Sequence, residues 1–456
     1  MFDVRSFGAH GDGESDDTEA LQSTIDECAV RGGGRVVIRS GLTCIAGPFR
    51  LRSAVDLHVE QGASIRASLD WDLYRNQSAF ADNRSEGTVW IRADEAYEVS
   101  ISGHGTIDGR GIHFMANEEP SHYNYYFDGE HDFRPQLMQL HGCTRVTIHG
   151  VTFRDSAHWG LHFIGCNDVM LSDLRILNSL KIRNADAIDI DGSRNVRIAN
   201  CHIESADDCI CLKSRREFAD YGPTENVLVS NCTLVSTSCA FKIGSENVAG
   251  IRNVVASNLI ITRSNRGLGI QSRDEGIVED ILFSDILIET RRFAEVWWGK
   301  AEPISITALS RSECERARHP SDGRGSTGTV RRIRFRGISC RGENGVLIYG
   351  SWESRPTDIE LERVHVTLTD TTRFGGGEYD LRPCEGDGIL RKPATGFRIH
   401  NADRVTLREC RAELRLGKSP VASDPLIRDD APMTALDGSK ASFEITSEGP
   451  SRFQTD

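Results

Sequence analysis

Three aspartates stand one repeat apart in two short segments. Asp186 lies in Arg183-Asn184-Ala185-Asp186-Ala187-Ile188, and Asp207 and Asp208 lie in Ser205-Ala206-Asp207-Asp208-Cys209-Ile210. Carboxylates seldom cluster without an opposing cation, because like charges raise one another's pKa. Two or three of them held together at strand ends supply what hydrolysis of a glycosidic bond needs, a general acid and a general base. The chemistry requires an element that repeats and brings these segments side by side.

That element is a period of short β-branched runs, each closed by a small or polar corner. Copies run through Arg145–Phe153, Asp168–Leu174, Asn195–Cys201, Asn226–Cys232, Asn253–Leu259 and Asp280–Ile286. The corners Gly150, Asp173, Asn200, Asn231, Asn258 and Asp285 follow one another at intervals of 23, 27, 31, 27 and 27 residues. A period in the twenties built from strand, corner and strand marks a solenoid. The alternation inside each run places one face in a shared core and the other outside. The expected class is all-β, a right-handed parallel β-helix, as a single domain over 1–416 with a polar C-terminal tail over 417–456. Strands adjacent in such a coil lie about 4.8 Å apart. Carboxyls on neighbouring coils can therefore reach the roughly 6.5–9.5 Å separation that admits a water between acid and base.

Composition excludes several classes. Of the 456 residues 27% are charged, with a net charge of −13, a poor match to nucleic acid. No apolar run is long enough to span a membrane. The sequence opens Met1-Phe2-Asp3-Val4 with no secretory h-region, which sets a cytoplasmic location and reduced thiols as the expectation. The 13 cysteines are odd in number in a chain too long to need a disulfide framework. Cys201 and Cys232 occupy equivalent corners and are expected to stack as small core residues. Cys209-Ile210-Cys211 is a strand with alternating faces and no metal knuckle. No metal or cofactor is implied.

At the start, Leu21, Ile25, Cys28 and Ala29 have helical spacing, which predicts a helix over 17–30 that plugs the open end of the solenoid. Asp16 and Asp17 then read as helix-start residues favoured by capping and the helix dipole, a second Asp-Asp pair without catalytic meaning. Gly32-Gly33-Gly34 feeds a strand at Arg35–Ile38, so it reads as a turn and not as a phosphate cradle.

The opening, the run Gly105-Thr106-Ile107-Asp108-Gly109, and Arg134-Pro135 leading to Ser156-Ala157-His158-Trp159 resemble family 28 glycoside hydrolases, the polygalacturonase family. The likeness covers about residues 3 to 290. Its specific part is Asn184-Ala185-Asp186 followed by Asp207-Asp208, 21 residues on, which matches the family's Asn-Thr-Asp and Asp-Asp motifs. The resemblance implies an inverting site in which Asp207 is the general acid, and Asp186 with Asp208 holds and deprotonates the attacking water.

Two departures bear on the substrate. Where the family has a histidine before Ile-Gly-Ser, this chain has Cys239 before Ile243-Gly244-Ser245. Where the family's Arg-Ile-Lys grips a uronate, it has Gly269-Ile270-Gln271. The loss of both cations implies a substrate other than plain polygalacturonate, because charge-assisted bonds to its carboxylate are gone. Aligned strands place Asp189, Cys211, Lys242 and Gly269 in one outward column and Asp191, Lys213, Gly244 and Gln271 in the next. Lys242 is then open to substrate contact or to a salt bridge. Lys213 has Asp191 as partner for a structural pair, and Arg266 and Arg273 flank the departed motif. Gln271 suits a hydroxyl better than an anion.

Trp297-Trp298 sits in a Gly/Pro-bounded loop and either stacks on a sugar or closes the side of the solenoid. His158-Trp159 lies a coil before Asp186 and is a candidate floor for the same groove. The insertion from Asn117 to Phe133, rich in Tyr and Phe, would wall one end of a cleft and make the enzyme exo-acting. Arg311 to Thr327 reads as a mobile loop, and the segment around Arg382-Pro383-Cys384 has no legible role. The favoured function is an inverting, exo-acting glycoside hydrolase on oligosaccharides. The alternatives are a uronate lyase or epimerase holding Ca²⁺ with Lys213 or Lys242 as base, and a non-catalytic glycan-binding β-helix. The oligomeric state stays open.

Overall fold

Each coil of the chain turns a corner at a residue with positive φ, and the residue types there explain why the coil repeats. Asp168, Asn195, Asn226, Asn253 and Asp280 have φ between 55° and 60°, and Asp173, Asn200, Asn231, Asn258 and Asp285 between 54° and 59°. Asn and Asp tolerate this left-handed region at the least cost among residues with a Cβ. Their side chains also stack. Asn226 Nδ2 donates to Asn195 Oδ1 at 3.1 Å and Asn253 Nδ2 to Asn226 Oδ1 at 3.1 Å. At the second corner Asn231 donates to Asn200 at 3.2 Å and Asn258 to Asn231 at 2.7 Å.

Directly after the first corner, one apolar position recurs in register through Val146, Val169, Val196, Val227, Val254, Ile281, Ile333, Ile359 and Val405. All are buried. The alternation between buried and exposed positions that marks these runs in the sequence is the alternation of side chains about the sheet. The result is a right-handed parallel β-helix. The computed structural model describes residues 1–74, 88–115, 134–311, 327–415, 417, 426–428 and 444–445. The aromatic insertion 117–133 and nearly all of the 311–327 loop lie outside the described residues.

The helix at the N-terminus spans Thr18–Val30, buries Leu21, Ile25 and Cys28, and packs against the strand Gly34–Ile38. Asp17 occupies the cap position without a capping bond from its side chain. Its buried carboxylate instead accepts from the backbone N–H groups of His10 at 2.7 Å and Gly11 at 3.0 Å. Asp16 bonds the N–H of Thr18 at 2.9 Å. The pair is structural, but it ties down the loop before the helix as well as its start.

Cys201 and Cys232 are buried and unbridged, and no disulfide is present among the described residues. Beyond residue 416 two short strands are described. Leu426–Arg428 pairs with Phe397–His400, and Glu444–Ile445 with Arg411–Arg415. No helix of the described residues is long and apolar enough to cross a membrane.

Candidate active site

One face of the coil is a parallel sheet of 12 strands among the described residues. Five neighbours carry the site: Leu161–Ile164, Ile188–Asp191, Ile210–Ser214, Cys239–Asn247 and Arg266–Ser272. Their register puts His162, Asp189, Cys211, Lys242 and Gly269 in one outward column. The second column holds Asp191 beside Lys213 and Gly244 beside Gln271, but a register shift after Leu212 separates the two pairs. The three acids sit in the turns that lead into the second and third of these strands.

Those turns are fixed by small hydroxyl side chains. Ser205 Oγ donates to the Ala185 carbonyl at 2.6 Å and accepts from the Asp207 N–H at 3.1 Å. Ser236 Oγ donates to the Asp207 carbonyl at 2.6 Å, and Thr237 Oγ1 to that of Ala206 at 2.8 Å. Asn184, in the left-handed region at φ 56°, turns its N–H onto Asp207 Oδ2 at 3.2 Å. Its side-chain oxygen accepts from the buried Arg134 at 3.1 Å.

All three acids are buried, and each has different company. Asp208 Oδ2 lies 2.8 Å from the Lys242 ammonium. Asp186 Oδ2 lies 3.4 Å from the Lys213 ammonium, which also sits 3.1 Å from Asp189. Asp207 has no lysine at ion-pair distance among the described residues. Burial pushes its carboxyl well above the usual range, and the charges of Asp186 and Asp208 push it further. Burial also raises Asp186, against the pull of Lys213. For Lys213 burial works against the charge, yet the carboxylate of Asp189 and its neighbours hold the ammonium well above its ordinary value. Asp186, Asp208 and Cys211 place possible ligand atoms within 4.8 Å of one another. The two lysines compete with any divalent cation for the same carboxylate oxygens, so this set fits a metal poorly.

A cavity of about 220 Å³ opens over these groups, lined by Asn184, Asp186, Asp207, Lys242, Gln271 and Trp298 together with the cations Lys213, Arg215, Arg266 and Arg311. Several expectations change here. Lys213 does not pair with Asp191. Although it is in register with Asp191, its side chain reaches Asp186 and Asp189, its ammonium 3.8 Å from the Trp159 ring, while Asp191 accepts from the Arg215 N–H at 2.9 Å. Lys242 forms the salt bridge and also lines the cavity. His158 is buried beside Trp159 and is absent from the lining, where Trp159 takes the place. Burial lowers the imidazole's pKa well below its ordinary value.

Arg273 also stays out of the cavity. Its guanidinium is buried and donates to the carbonyls of Leu381 at 2.8 Å, Thr307 at 3.0 Å and Pro383. Gln271 donates to the Arg382 carbonyl at 3.2 Å and Arg266 to that of Asp380 at 3.1 Å. The segment with no legible role is thus a strut: the hairpin Glu378–Asp380 with Ile389–Arg391 brings Pro383 to the cavity edge. Trp298 lines the cavity under the Arg382 guanidinium, 5.0 Å from its ring, whereas Trp297 donates to the Ala206 carbonyl at 3.2 Å and is not among the lining residues.

The residues not foreseen are Arg215, Ser238, Ser245, Glu246, Arg311 and Pro383. Arg215 continues the strand alternation from Lys213 and was open to that reading. Arg311 was assigned to a mobile loop, yet it is buried and its guanidinium binds Asp274 at 3.0 Å and 3.1 Å. Nothing local in its segment signals this.

Residues 40–373 match the family model described as glycosyl hydrolases family 28. A probable polygalacturonase of Vitis vinifera is 27% identical over 307 residues, 63% of this chain and 60% of the relative's length. An endo-polygalacturonase of Pectobacterium carotovorum subsp. carotovorum is 24% identical, covering 78% of this chain and 85% of the relative. Among solved structures, a hyperthermoactive exopolygalacturonase from Thermotoga maritima superposes with a TM-score of 0.67 at 22% identity, over 80% of this chain and 86% of that one.

Proposed function

Because the chain belongs to family 28 of the glycosyl hydrolases, we propose that it cleaves oligosaccharides by inverting hydrolysis from a chain end, on a substrate other than plain polygalacturonate. The observation that carries the mechanism is the asymmetry of the three acids. Asp207 has no lysine at ion-pair distance among the described residues and its carboxyl is pushed well upward, which favours the protonated form that can give its proton to the glycosidic oxygen. Asp186 and Asp208 each lie against an ammonium. They orient a water and take its proton as the carbon–oxygen bond to the leaving sugar breaks.

The substrate reading rests on what the cations already hold. Each of the five lining cations is paired with a protein carboxylate: Lys213 with Asp186 and Asp189, Lys242 with Asp208, Arg215 with Glu217, Arg311 with Asp274, and Arg266 with Glu302 at 3.6 Å and Asp380 at 3.9 Å. At Gly269 a Cβ would lie 2.8 Å from Cys239 Sγ and 3.1 Å from Arg266, so no longer side chain fits there without rearrangement. The Gln271 amide is used by the Arg382 carbonyl. A uronate carboxylate would have to compete with these partners, and a neutral sugar ring would not. The strut at Pro383 and the tryptophan loop wall the cavity, which supports action at a chain end.

The test is turnover of α- and β-linked oligosaccharides, neutral and uronic, with the anomer of the first product read by NMR. Cleavage of a neutral-ended substrate with inversion, one sugar at a time, is expected. Cleavage of oligogalacturonate alone would overturn the substrate reading. An unsaturated product would replace hydrolysis by a lyase, and binding without turnover would leave a glycan-binding module.

A further inference from the structure

A second cavity, of about 650 Å³, is lined by other residues of the two segments that supply Trp298 and Pro383 to the first. Arg292, Glu295 and Lys300 from the tryptophan loop line it, with Arg373, Phe374, Glu378 and Arg391 from the segment that carries the hairpin. The four cations outnumber the two acids in a protein whose net charge is −13. Glu378 is already shared, 2.9 Å from Arg292 and 3.2 Å from Arg391.

Arg391 is also paired with Asp387 at 3.1 Å and Glu295 lines the same cavity, but Lys300 and Arg373 have no carboxylate at ion-pair distance among the described residues. Lys300 is 1% exposed, and its ammonium donates only to the Glu295 carbonyl, with no carboxylate at ion-pair distance among the described residues. Burial accordingly holds it below the ordinary lysine value. Arg292 is 4% exposed, and its Nε has no hydrogen-bond acceptor among the described residues. Arg373 is exposed, again with no carboxylate partner among the described residues. Its guanidinium carbon and that of Arg292 each lie 5.0 Å from the Phe374 ring. Buried cations with open N–H groups are costly unless an anion completes them. An aromatic ring among them offers a face to a sugar.

We propose that this cavity binds an anionic saccharide, its carboxylate or sulfate ester held by Lys300, Arg292 and Arg373 and its ring laid on Phe374. Arginine forks suit either planar carboxylates or sulfate oxygens. The site stands apart from the aspartates and does not depend on the proposed hydrolysis.

The test is hydrogen exchange on the full chain and on Asp207→Asn, with galacturonate, galactose 6-sulfate, galactose and inorganic sulfate as probes. Protection of residues 291–300 and 371–391 by one or both charged sugars, equal in the two proteins, is expected. Whichever of the two charged sugars protects more strongly identifies the anion. Arg373→Ser and Lys300→Met should each weaken that protection about 10-fold in ligand concentration, the loss of one charge-assisted bond. Should Lys300→Met fail to fold, the exposed Arg373→Ser carries the test. Equal protection by galactose, or by inorganic sulfate, would overturn the proposal, as would unchanged affinity in Arg373→Ser or no protection by either charged sugar. Because Asp207→Asn serves as a parent, failure of hydrolysis and failure of this site are read separately.

Discussion

Asp207→Asn separates the two things the Asp207 carboxyl is argued to do. The carboxamide oxygen can still accept the Asn184 N–H, now 3.2 Å from Oδ2, so the turn keeps its geometry and only the transferable proton is lost. Removing a general acid costs about 10²–10⁴-fold in kcat, or roughly 2.7–5.4 kcal/mol of barrier. That loss should depend on the leaving group. A natural oligosaccharide needs its glycosidic oxygen protonated, whereas an aryl glycoside with an acidic phenol does not, and it should be cleaved with much less impairment.

Stability should move the other way. The folded pKa of Asp207 is raised, by burial first and then by Asp186 and Asp208. The wild type is therefore penalised progressively as pH rises from the unfolded carboxyl value through the folded one. Each unit of that elevation is worth about 1.36 kcal/mol. Asp207→Asn should thus melt later than wild type at neutral and alkaline pH and lose this advantage in acid. Kinetics with paired natural and aryl substrates, and thermal melts across pH, measure both. An equal fall on the two substrates would refute the acid role. A variant less stable than wild type at every pH would refute the reasoning about its environment.

Three other outcomes follow from the same contacts. Lys242→Met removes the ammonium 2.8 Å from the buried Asp208 and should cost about 3–5 kcal/mol in urea unfolding, the price of a stranded charge; Lys242→Met with Asp208→Asn should recover part of it. Arg273→Met cuts three bonds to the carbonyls of Thr307, Leu381 and Pro383. At about 1.5–3 kcal/mol for each charged bond, the strut should loosen, with KM rising and internal cleavage products appearing in a size profile of the digest. Asn231→Ala puts a β-carbon without a polar partner at φ 57° and breaks the corner bonds at 3.2 and 2.7 Å. A loss of about 2 kcal/mol is expected, read as a fall in Tm, and Asn231→Gly should lose less.

The sequence by itself determined the coil. Its information is local: side chains alternate with period two, and Asn or Asp recurs where the chain needs a left-handed corner, so Asn200, Asn231 and Asn258 mark successive turns. Stacking then follows from register, which is why Asp186, Asp207 and Asp208 and the column from Asp189 to Gly269 were legible. Only the tertiary structure decided what each charge is paired with. Lys213 stands in register beside Asp191, yet its ammonium goes to Asp186 and Asp189. Arg266, Gln271 and Arg273, which read as substrate contacts, each reach across more than 100 residues of chain to the strut near Pro383, and Arg266 and Gln271 line the cavity as well. Periodicity reports which face a residue takes. It carries no record of which distant loop returns to that face, and a buried charge is defined by its neighbours in space.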